Sequence, residues 1–168
     1  MDVPATPEFM IGHMRVLTMV EQTYFYISNQ PTMMSELDKD LDLIIPRLEA
    51  AQAQANITEA GPVIIRYYPV NAEGRASEEV LYLMEIGVPV KPGMKPAGEA
   101  LVMTLPPFHC AALLYWCSLA HIVEAYGALN RAIKKAGLEH EGEGREWYYH
   151  FEGDTSLHNI LGLHLAIR

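Results

Sequence analysis

One acidic residue in the C-terminal part of the chain lies among aromatic residues in a pattern that suits ligand chemistry. The segment Glu146-Trp147-Tyr148-Tyr149-His150 has the composition of a β-strand, in which alternate side chains share a face. Glu146 and Tyr148 would therefore share one face. In an apolar surrounding the pKa of Glu146 would be raised, and the group would either attract a cation or act as a general acid or base. The simpler alternative is that Glu146 is solvated on an ordinary strand.

Further aromatic and acidic candidates lie on three other predicted strands. Tyr67 and Tyr68 are adjacent in one strand, so at most one of them faces any given cleft. Tyr115 and Trp116 end another strand and suit either a ligand contact or the core. Glu85 interrupts an apolar strand. It is the candidate second carboxylate of an enzyme, although a half-exposed edge charge is the simpler interpretation.

Other residue types that carry chemistry are scattered along the chain. The seven histidines form no HxxxH pair or same-face set of the kind that binds a metal, so no metal site is predicted. Cys110 and Cys117 lack the spacing of a metal-binding pair and are expected to be reduced core residues. No phosphate-binding loop, nucleophile elbow or dinucleotide motif is present. We therefore expect no cofactor, haem included.

The elements that must position these residues occur twice in the same order. Strands and helices are indicated by β-branched and aromatic runs and by helical spacing of apolar residues. The first part contains strand-like runs over 16–20, 24–27, 63–68 and 79–90, a turn over 71–77 and a helix with apolar positions from Leu37 to Leu48. The second contains strand-like runs over 101–105, 111–116, 145–151 and 160–167 and a helix with apolar positions from Ile122 to Ile133.

This repetition predicts an α+β fold built by tandem duplication. We expect one domain over residues 1–168, with a β-α-β-β unit over about 14–90, a linker rich in proline and glycine over 89–98, and a second unit over about 99–168. The two parts align at an offset of about 84 residues, which places Ile65 on Tyr149. The expected architecture has pseudo-twofold symmetry and largely antiparallel sheets covered by two main helices.

Composition and charge exclude several classes of partner. Twelve Lys and Arg residues against 21 Asp and Glu residues give a formal net charge of −9 at pH 7. Nucleic acids and anionic membranes are bound mainly through cationic side chains, so neither direct nucleic-acid binding nor membrane binding is expected. The N-terminal segment is acidic and interrupted by proline, unlike a secretory signal. A cytoplasmic protein is predicted, with no indication of its oligomeric state.

Several short tracts occur in an order and spacing that resemble the GyrI-like domain. This is the effector-binding module of MerR-type and AraC-type multidrug regulators, which has a SOUL-like fold. The tracts include Gly61 to Tyr68, Glu85 to Val90, Thr104-Leu105-Pro106, Ala125 to Asn130 and Gly144 to Tyr148. The resemblance covers about residues 14–168. Only about 13 residues precede the first predicted strand, too few for a helix-turn-helix, so a stand-alone member is expected.

The resemblance implies a ligand cleft between the two parts, lined by aromatic residues around one acid, which by position is Glu146. Tyr148, Tyr67, Tyr68, Trp116 and Tyr115 would be the ligand-binding residues. The segment 116–120 departs from the family, which often has a glycine and a tyrosine there.

Three functions stay open at this point. The first is binding of lipophilic aromatic small molecules, cationic ones included. The second is hydrolysis that opens the strained ring of cyclopropane-bearing DNA-alkylating compounds, because some stand-alone members of the family resemble such hydrolases. In that case Glu146 would be the acid or base and Glu85 the second carboxylate. The lesser third is a protein-directed inhibitor of the gyrase type, which the net charge permits.

Overall fold

The computed structural model describes residues 10–57, 61–70 and 80–168, so the predicted turn over 71–77 lies outside the described residues. It contains ten strands and two α-helices within these ranges. The strands are β1 (Met10–Ile11), β2 (Arg15–Met19), β3 (Gln22–Ser28), β4 (Thr32–Met33), β5 (Val63–Pro69), β6 (Leu81–Pro89), β7 (Leu101–Leu105), β8 (Phe108–Trp116), β9 (His140–His150) and β10 (Ile160–Ile167), and the helices are α1 (Leu37–Gln54) and α2 (Ile122–Lys135).

All described strands join one antiparallel sheet with the order β1-β8-β10-β9-β5-β6-β3-β7. β2 also pairs with β8, and β4 with β6. The order is symmetric about the β5–β9 pair, because β9, β10, β8 and β2 on one side correspond to β5, β6, β3 and β7 on the other. β2 and β7 are exchanged, since each pairs with a strand of the opposite half. The predicted α+β class with pseudo-twofold symmetry is confirmed.

The helices bury equivalent apolar stripes against one face of this sheet. Ile44 and Leu48 of α1 and Leu129 and Ile133 of α2 are buried at four-residue spacing, as expected for one helix face. α2 ends at Lys135, and Gly137 follows with φ of +73°, the left-handed conformation that commonly terminates a helix. This face is called the helix face below.

The register of the two central strands fixes which side chains reach the helix face. Ile65 is paired with Glu146 and Tyr67 with Gly144. Ile65 and Tyr67 belong to or pack on the core under α1. The intervening pair, Arg66 with Arg145, therefore lies on the opposite face.

Two differences from the sequence prediction concern the central strands. β9 begins at His140 rather than Arg145, so the polar segment before Arg145 extends the strand. The central strands also align at an offset of 79 residues rather than 84. The cross-strand pair Arg66–Glu85 in β5–β6 is equivalent to the pair Arg145–His164 in β9–β10, and both members differ by 79. The alignment of Ile65 with Tyr149 was wrong, since the connection after α2 (136–139) is shorter than that after α1 (55–62).

Candidate functional site

The carboxylate of Glu146 lies on the helix face and accepts hydrogen bonds from two tyrosines. Tyr126 Oη donates to Oε1 at 2.6 Å, and Tyr148 Oη donates to Oε2 at 2.8 Å. Tyr148 follows Glu146 by two residues in β9, as the strand pattern predicts for a shared face. Glu146 is partly buried. Each carboxylate oxygen therefore has a phenolic donor, which stabilises the ionised form.

A third tyrosine extends these hydrogen bonds across the centre of the sheet. Tyr67 Oη donates to Tyr126 Oη at 2.8 Å, and the two rings meet edge to face at a centroid distance of 6.5 Å. The result is a directed series of hydrogen bonds from Tyr67 through Tyr126 to Glu146. These four residues, Glu146, Tyr148, Tyr126 and Tyr67, are called the Glu146 cluster below.

The electrostatics of the cluster keep the phenols of Tyr67 and Tyr126 protonated. Burial raises the pKa of Tyr126 well above its usual value, and the negative charge of Glu146 raises it further. Burial and the same charge also raise the pKa of Tyr67. At neutral pH both hydroxyls are therefore hydrogen-bond donors around one carboxylate.

The cluster bridges the two halves of the molecule. Tyr67 packs against the core beneath α1, and Tyr126 packs against the core beneath α2. Tyr148 packs against both cores. The carboxylate thus lies where the duplicated units meet.

A glycine makes room for the Tyr67 ring. A Cβ atom at Gly144 would lie 2.3 Å from Tyr67 Cζ and 2.4 Å from its hydroxyl oxygen, far inside contact distance. Gly144 pairs directly with Tyr67 in the β5–β9 ladder. The absence of a side chain at position 144 is what lets the Tyr67 hydroxyl reach Tyr126.

Two of the residues suggested by the sequence lie on the opposite face. Tyr68 alternates with Tyr67, and its ring lies 4.5 Å from the guanidinium carbon of Arg66. Glu85 is only 3% exposed and bonds to Arg66 Nη1 at 2.8 Å. Glu85 is therefore neither a half-exposed edge charge nor a second carboxylate beside Glu146.

Glu85 belongs to a buried network of alternating charges. Arg66 also pairs with Glu143 through Nε, and Arg145 Nη2 lies 3.3 Å from Glu143 Oε2. Two arginines and two glutamates balance, and we call these four residues the ion-pair network. Burial of ionised groups is tolerated when they are paired in this way.

Tyr115 and Trp116 also lie apart from the Glu146 cluster. Tyr115 is fully buried in the core under α2, and its hydroxyl donates to the backbone oxygen of Ser118. Trp116 alternates with Tyr115 and pairs with Met10 and Ile160 at the end of β8, so its side chain lies on the other face.

Sequence reasoning missed Tyr126 as a site residue. Its position four residues after Ile122 and three before Leu129 fits the apolar stripe of α2, which favours a core assignment. The available signal was its hydroxyl, because a tyrosine in a buried stripe needs a hydrogen-bond partner.

A cavity of about 490 Å³ lies away from this cluster. It is formed by the C-terminal end of α1 and the following connector, with Gln54, Ala55 and residues 91–97 as its lining. Its charged side chains are Lys91 and Lys95, whose positive charges disfavour a cationic ligand. Glu146 therefore stays the candidate centre on chemical grounds.

The described ranges contain neither a metal-binding cluster nor a membrane-spanning helix. No cluster of three or more His, Cys, Asp or Glu side chains is arranged to hold a metal ion among residues 10–57, 61–70 and 80–168. In the same part of the chain, no helix is both long and apolar enough to cross a membrane.

Solved structures share this fold over nearly the whole chain. The C-terminal domain of EcmrR matches with a TM-score of 0.69 and 13% identity, over 95% of this chain and 99% of that domain. This chain has the same fold. SAV2435 bound to tetraphenylphosphonium matches with a TM-score of 0.65 and 11% identity, over 93% and 94% of the two chains.

A hydrolase encoded by lin2189 from Listeria innocua is also similar, with a TM-score of 0.59, 8% identity and coverage of 92% of this chain and 91% of that one. These neighbours fit the fold of a GyrI-like domain. No protein-family model matches the sequence, and neither does any curated protein.

Proposed function

We propose that the protein binds lipophilic aromatic small molecules, with a preference for cations, at the Glu146 cluster. The observation that carries the proposal is the partly buried carboxylate with three tyrosines around it at the junction of the two halves. An ionised carboxylate that is removed from water is stabilised by a neighbouring cation, which compensates for the lost hydration. Phenol rings add cation–π attraction of about 0.5–2 kcal/mol for each good contact.

The hydrogen bonds within the cluster favour a cation that carries no N–H groups. A carboxylate accepts about four hydrogen bonds, and two of these positions are used by Tyr126 and Tyr148. A delocalised cation is held by its charge and by contact with the rings, and it needs no hydrogen-bond position on the carboxylate, so both phenols can stay in place. The structural neighbour SAV2435, which has been solved with tetraphenylphosphonium, supports this choice of ligand class.

The test compares two probes of matched shape, methyltriphenylphosphonium and the neutral triphenylphosphine oxide. Calorimetry with the wild-type protein should show tighter binding of the phosphonium. Glu146→Gln should weaken phosphonium binding about tenfold, equivalent to 1.4 kcal/mol, and leave oxide binding nearly unchanged.

Glu124→Gln is the matched control for this experiment. Glu124 lies on the exposed side of α2, and its substitution changes the net charge of the protein by the same amount. The affinity of the Glu124→Gln variant for the phosphonium should equal that of the wild-type protein. Equal loss in both variants would show a general charge effect, and an unchanged Glu146→Gln variant would contradict the proposal.

A second candidate is hydrolysis of a cyclopropane-bearing alkylating compound. The 2.6 Å hydrogen bond from Tyr126 to Glu146 favours it, because rotation of that single O–H towards a substrate carbonyl would free the carboxylate to direct water. The separation of Glu85 from Glu146 leaves only one carboxylate in the cluster. Mass spectrometry of the compound after incubation should show a water adduct that Glu146→Gln fails to form, and absence of the adduct with the wild-type protein would reject this activity.

A further inference from the structure

The connector between the two halves folds back over the C-terminal end of α1 and forms the cavity of about 490 Å³. Residues 91–97 of the connector face Gln54 and Ala55 across this cavity, which is called the connector cavity below. A Cβ atom at Gly98 would lie 2.6 Å from Gln54 Oε1, so the connector closely approaches the last turn of the helix. Pockets for small molecules have volumes of about 300–1,000 Å³, so the connector cavity is large enough to hold one.

A turn within the connector gives this cavity a defined shape. Met94 N donates to Lys91 O at 3.4 Å. Pro92 and Gly93 occupy the two central positions of the turn, and Gly93 has φ of +89°, the arrangement that a type II turn favours. The cavity wall is therefore formed before a ligand arrives, which lowers the entropic cost of binding.

The charged side chains that line the connector cavity are both positive. Lys91 and Lys95 are exposed there, and neither forms an ion pair with an acidic residue in the described part of the chain. The protein as a whole has a formal net charge of −9, so two unpaired cations at one cavity run against its overall charge. A cavity lined by one sign of charge concentrates ligands of the opposite sign, in this case anions.

Compensation of the end of α1 accounts for only part of this positive charge. The last turn of α1 contains no basic residue, whereas the last turn of α2 contains Lys134 and Lys135. The C-terminal end of a helix is equivalent to roughly −0.5 elementary charge. Two lysines exceed that value about fourfold, so the connector cavity keeps a positive charge that an anion can neutralise.

The remaining lining is mostly apolar. Met94, Ala97 and Ala55 pack against the core beneath α1, and Pro92 and Pro96 add their ring faces to the cavity. The thioether of a methionine makes favourable contacts with aromatic rings. Apolar surface beside two ammonium groups therefore suits a ligand that joins an aromatic ring to an anionic group.

We propose that the connector cavity is a second binding site, for a small aromatic carboxylate. The ring lies against Met94 and the proline faces, and the carboxylate accepts hydrogen bonds from the ammonium groups of Lys91 and Lys95. This site takes ligands of the opposite charge to those of the Glu146 cluster and does not depend on binding there.

The experiment follows the methyl signal of Met94 by NMR during titration with 2-naphthoate at low ionic strength. The signal should shift and saturate because of the ring current, while the signal of Met33, beside the other end of α1, stays in place as an internal control. The neutral probe of matched shape, 2-naphthamide, should bind about fivefold to tenfold more weakly. Salt at about 0.5 M should remove most of this difference, because it screens exposed charges.

Three lysine variants locate the charge that selects the ligand. Lys91→Gln and Lys95→Gln should each weaken naphthoate binding about threefold and leave naphthamide binding unchanged. Lys134→Gln removes an exposed lysine at the end of α2 and is the matched control, with wild-type affinity expected. Glu146→Gln should also bind naphthoate like the wild-type protein.

Several results would overturn the proposal. In the wild-type protein these are the absence of a saturable shift at Met94, equal binding of naphthamide, and displacement of naphthoate by an equal concentration of inorganic phosphate. Equal losses in Lys91→Gln and Lys134→Gln would show a general charge effect. A less stable Lys91→Gln variant with unchanged naphthoate binding would mean that the lysine serves only the end of α1. The wild-type readouts do not require that any variant folds.

Discussion

The two halves of the molecule share one set of strand pairings but carry different chemistry at matching positions. At the offset of 79 residues, Tyr67 in β5 corresponds to Glu146 in β9, and their cross-strand partners Met84 and Leu163 also correspond. The phenol and the carboxylate are linked through Tyr126. Divergence at one pair of equivalent positions has thus placed a donor in one half and an acceptor in the other.

The opposite face shows the same contrast in another form. In the first half Arg66 is paired with Glu85, and the two side chains form an ion pair. In the second half the corresponding pair is Arg145 with His164, in which burial favours the neutral imidazole. In the first half a glutamate on the neighbouring strand therefore pairs with the arginine, whereas in the second half Arg145 Nε has no hydrogen-bond partner among the described residues. Symmetry of the backbone conserves the positions, and the side chains decide what each position does.

The largest difference between the halves should appear in stability. Glu85→Gln leaves two arginines with one glutamate in the ion-pair network, and removal of one partner of a buried pair costs about 3–5 kcal/mol. His164→Leu at the equivalent position removes an imidazole whose Nδ1 is unpaired, so we expect a change of less than about 1 kcal/mol. Urea denaturation at neutral pH measures both values, and equal losses would contradict the contrast drawn between the two halves.

A pH series tests the same contrast through His164. Its pKa is lowered from 6.5 to about 4, so below pH 6.5 the unfolded chain binds a proton that the folded protein does not. The stabilisation is complete above pH 6.5 and is lost as the pH falls towards 4, by about 3 kcal/mol for this group. Urea denaturation between these pH values should give a steeper loss for the wild type than for His164→Leu. Parallel curves would show that His164 does not titrate in this window.

Local sequence patterns were sufficient for most elements that carry the candidate site. Alternation in β9 predicted that Glu146 and Tyr148 share a face, which the structure confirms. Adjacency in β5 predicted that at most one of Tyr67 and Tyr68 faces any given cleft, and in the structure Tyr67 joins the Glu146 cluster while Tyr68 contacts Arg66 on the other face. The α+β class followed from the repeated order of elements. Period-2 and helical patterns are local properties, so they can be recognised without knowledge of the tertiary structure.

The features that sequence reasoning missed depend on contacts between distant strands and helices. Glu85 is buried because Arg66, on the neighbouring strand, supplies its counter-charge. Tyr126 fits an apolar helical stripe, and only the packing of α2 on the sheet brings its hydroxyl to Glu146. The exchange of β2 and β7 between the halves likewise involves pairings that no single segment encodes.

The smallest expected effect concerns Gly144, whose equivalent in the first half is Ile65. Gly144→Ala would place a Cβ 2.3 Å from Tyr67 Cζ, so the ring must move and the bond to Tyr126 is lost. Overpacking of this kind costs about 1–3 kcal/mol. In a Tyr67→Ala background the same substitution meets no ring and should cost little, so a double-mutant cycle on urea denaturation should be strongly non-additive. Additive losses would mean that Gly144 is required for a reason other than the space it leaves for the Tyr67 ring. The glycine in one half and Ile65 in the other would then reflect a difference in backbone conformation.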